Sequence, residues 1–82
     1  MNNNFFTTAA SNEVPQIKDK LQQLGFTELQ PAGTNHLFVD KINKTYWESD
    51  DKGIQQNIKL AENTHKETPI QLTLKEVESW QN

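Results

Sequence analysis

The sequence predicts an α+β domain with an N-terminal helix, an antiparallel meander of three to five short strands and a short C-terminal helix, arranged in two layers. Three observations carry that reading. Val14, Ile17, Leu21 and Leu24 recur at helical spacing. Past Gly25 the chain breaks into short segments rich in β-formers, bounded by Pro, Gly, Asn and Asp. Thr73 and Glu76 then stand at capping-box distance ahead of Val77 and Trp80.

Residues 1–12 are rich in Asn, Thr, Ser and Ala, with one apolar pair at Phe5 and Phe6, and are expected to be a flexible tail; residues 13–82 form the single domain. Helix one is expected over 12–24. Ser11 or Asn12 can cap it, Glu13 suits the positive end of its dipole, Pro15 fits its first turn and Gly25 supplies a left-handed stop. A first strand falls at 26–30 and a turn at 31–35. Residues 36–42 and 45–49 flank Asn43 and Lys44 as a hairpin. A second turn is expected at 50–53, with Gly53 supplying a positive φ, and then a half-buried strand whose inner face carries Ile54, Ile58 and Leu60. After a polar loop, Pro69 leads into a short edge strand at 70–72. The closing helix turns Leu74, Val77 and Trp80 inward. Both helices are expected on one face of the sheet, with the other face partly in water.

A chain of 82 residues is too short for two independent cores and leaves a thin one. With no Cys, disulfides, thiolate metal sites and a Cys nucleophile are excluded. No apolar run is long enough to span a membrane, and the first ten residues show no secretion pattern, so a cytoplasmic location is expected. The net charge is −3, and all eight basic residues besides the two His are Lys. Without Arg the chain lacks the bidentate fork that reads phosphates and guanine edges.

No catalytic constellation is legible, and the sequence predicts a protein that is not an enzyme and needs no cofactor. His36 and His65 sit in unrelated contexts, as ordinary surface or half-buried side chains. Glu48, Asp50 and Asp51 ahead of Gly53 superficially suggest a calcium loop, but that alignment puts Lys52 and Lys59 where oxygen ligands are required, so no metal site is expected. The three glycines are scattered over turns and make no phosphate cradle.

What remains is the hairpin. Tyr46 and Trp47 are adjacent and must point to opposite sides of their strand, so one of them faces away from the helices. With Glu48, Asp50 and Asp51 beside it, an exposed ring makes a contact surface for a larger protein with a basic surface. The sequence therefore predicts a small acidic protein-interaction module, one version being a phage or mobile-element inhibitor of a nucleic-acid-processing, host-defence complex. A single-stranded nucleic-acid binder stacking bases on Phe38, Tyr46 and Trp47 is the alternative, weakened by the acidic balance. Homo-oligomeric self-assembly through an edge strand such as 70–72 is the third.

Overall fold

The computed structural model describes residues 4–9, 12–29 and 36–80. Its elements in order are β1 (Phe5–Thr7), α1 (Val14–Gln23), β2 (Thr27–Glu28), β3 (His36–Asp40), β4 (Thr45–Ser49), α2 (Asp51–Leu60), a π-helical turn (Ala61–His65), β5 (Ile70–Gln71) and α3 (Leu74–Glu78). The expected turn at 31–35 and the Ser11 cap lie outside the described residues.

Local chemistry accounts for the elements that the sequence placed well. Val14, Ile17 and Leu21 form the buried stripe of α1, and Pro15 sits in its first turn. The N-cap position falls on Glu13 instead of Asn12. At the other end Gly25 takes φ +91°, its amide donates to the Gln22 carbonyl at 3.1 Å, and the Phe26 amide reaches back to Leu21 at 3.0 Å. Those two bonds close a Schellman motif, which only a residue comfortable in the left-handed region completes without strain. β3 and β4 pair antiparallel with Phe38 opposite Trp47. In α3, Thr73 Oγ1 accepts from the Glu76 amide at 3.1 Å, and Val77 and Trp80 are buried.

Four expectations are corrected. The sheet is not an antiparallel meander: its five strands run in the order β2-β4-β3-β1-β5, and both outer pairs, β2 with β4 and β1 with β5, are parallel. Within the expected tail, Phe5–Thr7 is a strand between β3 and β5. Its start is fastened by the Glu67 carboxylate, which accepts from the Asn4 and Phe5 amides and from Asn4 Nδ2. A strand with partners on both sides is held by its neighbours, so polar flanking composition does not release it.

The third correction concerns 50–60, expected as a turn and a strand. Asp50 is instead the N-cap of α2, accepting from the Gly53 amide at 2.8 Å, and Asp51 lies in the positive first turn. Ile54, Ile58 and Ala61 recur at i, i+4 and i+7 on its inner side, while Leu60 is 60% exposed and belongs to no buried face. Gly53 is there for close approach and not for a positive φ: a Cβ on it would stand 3.0 Å from the Ser49 Cβ.

The fourth follows from the third. α1 and α3 do cover one face, where Phe6, Val14, Ile17, Leu21, Leu37, Val39, Tyr46, Leu72, Val77 and Trp80 share one cluster. The opposite face is covered too, by α2 and the π-helical turn, whose Ile54, Ile58 and Ala61 cluster with Phe5, Phe38 and Trp47 of the sheet. The arrangement is helix, sheet, helix, in three layers instead of two. Pleat alternation divides Phe5 from Phe6, and Phe38 from Leu37 and Val39, between the two interiors.

Because Phe6 is buried in the larger cluster, Phe6→Ala is expected to lower stability by about 3 to 5 kcal/mol, as for other buried aromatic truncations. A urea unfolding curve checks this; a change under about 0.5 kcal/mol would return the segment to the status of a tail.

Candidate functional site

The hairpin residues singled out from sequence fall on different sides of the sheet. Tyr46 and Glu48, two apart, face α1; Trp47 faces α2; Asp50 and Asp51 begin α2. The five do not converge on one surface.

On the α1 side, Tyr46 is fully buried and its hydroxyl accepts from Gln22 Nε2 at 2.9 Å. Burial pushes its phenol pKa up, and the Gln22 bond opposes that in part. Glu48 is 9% exposed, and its carboxylate takes a 2.7 Å hydrogen bond from Lys18 Nζ. The same ammonium stands 3.1 Å from Glu28 Oε2, an ion-pair contact without hydrogen-bond alignment. The bond to Glu48 raises the Lys18 pKa most; burial works against it, and Glu28 adds to the rise. Two carboxylates from neighbouring strands thus share one cation from a helix, which fixes α1 over β2 and β4. Lys18 and Gln22 are four apart and flank the apolar stripe of α1, so helical spacing alone could have placed them beside the sheet.

On the α2 side, Trp47 is half-buried and stacks on Phe38 with ring centroids 4.9 Å apart. Phe38 is followed by Phe5 at 6.1 Å and Phe5 by His65 at 4.7 Å, a row of rings running across three strands to the π-helical turn. Trp47 ends that row nearest β2. The Leu29 amide donates to the Tyr46 carbonyl at 2.8 Å, which extends the β2 ladder by one residue and sets Leu29 beside Trp47 on the same face. Leu29 is 41% exposed and was not singled out from sequence.

Asp50 is committed to its cap, and Asp51 pairs with His36 Nε2 while His36 Nδ1 lies 2.8 Å from the Thr8 carbonyl oxygen. The Thr8 carbonyl raises the His36 pKa most; Asp51 and Asp50 add to it and burial opposes it. Ser49, whose Oγ is buried without a partner, stands opposite His36 in the hairpin register. Ser, His and Asp are therefore neighbours, yet both ring nitrogens are engaged elsewhere, and in this arrangement His36 has none free to take a serine proton.

A shallow open groove of about 360 Å³ between α1 and α3 is lined by Gln16, Asp19, Lys20, Gln23, Leu74 and Glu78. Among the described residues there is no group of three or more side chains suited to hold a metal ion, and no helix is long and apolar enough to cross a membrane. Comparisons with protein-family models, with curated proteins and with solved structures returned no match.

Removing the shared cation leaves the largely buried Glu48 carboxylate without its partner. Lys18→Met is expected to cost about 1 to 3 kcal/mol, and Glu48→Gln added to it should recover part of that loss. Chemical denaturation of the two single variants and the double variant measures the coupling; fully additive effects would mean that the ion pair contributes nothing to stability.

Proposed function

We propose that this chain is a small protein-interaction module that binds through the corner of the sheet where Trp47 and Leu29 lie beside β2. The observation that carries the reading is the incomplete cover of the second face: α2 lies over β3 and β4, while Trp47 stays half-buried and Leu29 is 41% exposed at the outermost strand on that side. An aromatic ring with an aliphatic neighbour, fixed on a strand and stacked from behind by Phe38, is a preorganised anchor of the kind that dominates binding energy at protein contacts.

The edge adds a polar element. The amides of Thr27 and Leu29 point to β4, so the peptide groups of Glu28 point away from the sheet and suit a strand-like segment of a partner. The net charge of −3, with Asp50 and Asp51 at the surface close after Trp47 in the chain, favours a basic partner. The inhibitor version draws less support, because Glu48 is paired with Lys18, Asp51 with the His36 ring, and Asp50 caps α2. The nucleic-acid reading keeps only Trp47 of its three rings at the surface, since Phe38 and Tyr46 are enclosed.

A second reading, self-assembly, is favoured by one observation: β5 is the outermost strand on the far side and carries Ile70, 41% exposed.

Affinity capture from the source cell with the wild-type chain, Leu29→Asp and Ile42→Asp tests the first reading. Ile42 is exposed in the turn between β3 and β4, outside the Leu29 and Trp47 pair, and serves as the control. Leu29→Asp is expected to weaken capture about tenfold or more while Ile42→Asp leaves it unchanged, with thermal melts confirming that both fold. Equal recovery of the same proteins by Leu29→Asp and wild type would overturn the reading. Concentration-dependent light scattering, altered by Ile70→Lys, would replace it with self-assembly.

A further inference from the structure

We propose that His36 is a pH-operated latch that fastens the first turn of α2 and the segment following β1 to the start of β3. The proposal stands independently of any binding partner.

His36 places Nδ1 against the Thr8 carbonyl oxygen and Nε2 against the Asp51 carboxylate. Neither of those partners can donate, so both contacts are hydrogen bonds only when both ring nitrogens carry a proton. The imidazolium satisfies the site. Either neutral tautomer turns one contact into a lone pair facing an oxygen.

The groups facing the ring come from every element around it. α2 contributes the charged Asp51 and, just before its first turn, Asp50. The segment after β1 contributes the Thr8 carbonyl, and β4 contributes Ser49, opposite in register. All the charge in that set is negative and all of it favours the protonated ring. Thr8 is itself tied in, since its Oγ1 accepts from the Leu37 amide at 2.8 Å. The latch therefore joins a rigid sheet end to the start of the helix that roofs Phe5, Phe38 and Trp47.

The two contacts differ in what happens when the proton leaves. Thr8 is buried, and its carbonyl would lose its ring donor; the Asp51 side chain is largely exposed and water can take over its hydrogen bonds. The neutral ring therefore keeps its proton on Nδ1, and Asp51 is released. The direction in pH follows from linkage. A His whose folded pKa is raised contributes its stabilisation in full below about 6.5, its unfolded value, and loses it as pH rises through the folded value. The first turn of α2 is then held by the Asp50 cap without the ion pair.

NMR titration of the two His rings, combined with amide hydrogen exchange across α2 between pH 5.5 and 8.5 and corrected for intrinsic rates, tests this on the wild type, His36→Gln and Asp51→Asn. His36 is expected to titrate above about 6.5, the ordinary imidazole value, and wild-type protection near the start of α2 to fall about two- to fivefold across the His36 transition. Both variants should abolish that pH dependence. Asp51→Asn alters an exposed side chain, so it keeps the test decisive if His36→Gln fails to fold. A His36 that titrates at or below about 6.5, or the same pH-dependent protection in Asp51→Asn as in the wild type, would overturn the latch.

Discussion

Three residues of backbone hold the two halves of this interior together. β1 lies between β3 and β5, and from it Phe5 and Phe6 leave in opposite directions, one into the cluster under α2 and the other into the cluster under α1 and α3. Each helical layer packs against a ring supplied by the same strand. Neither layer could be removed without exposing an aromatic side chain to water, and a chain of this size has little other apolar surface with which to compensate.

The polar contacts serve the same architecture. Glu67 gathers the donors at the start of β1, Lys18 bridges Glu28 and Glu48 beneath α1, and His36 ties the sheet end to α2. Each adds a side-chain tie between separate elements: the start of β1 to residue 67, α1 to β2 and β4, and β3 to α2. They select one arrangement among the ways these short strands could pair, a role that partly buried polar groups can fill even where their net energy is small.

Much of the fold was legible because local chemistry agreed with it: the stripe and Gly25 stop of α1, the 36–49 hairpin, the edge strand at 70 and the Thr73 cap. The misreading of 50–60 has a physical origin. Ile54 and Ile58 are four apart, a spacing that satisfies a period of two as well as 3.6, and Leu60 tipped the pattern toward a strand although it faces water. A contrary signal was present in β3. Leu37, Phe38 and Val39 are consecutive, and three apolar residues in succession on a strand require cover on both sides of the sheet. The strand role of Phe5 and Phe6 had no local signature, because it depends on partners at 38–40 and 70–71. The opposite facing of Tyr46 and Trp47 was legible from the pleat; the surface proposal divided because α2, not foreseen, packs on the Trp47 side, while Glu48 turns to Lys18 and Asp50 caps the helix.

The placement of β1 also orders events during synthesis. Of the elements described it is synthesised first, yet Phe6 finds Val39 on one flank and Ile70 on the other, so its slot closes only after residue 70 has emerged. Until β3 is made two adjacent aromatic side chains travel on an unpaired segment, and afterwards on one with a single neighbour, so sheet closure rests on long-range encounters, the slow kind. A nascent chain stalled before residue 70 would carry the helix-forming stripe of α1 and the hairpin, but would lack the last neighbour of its own first strand.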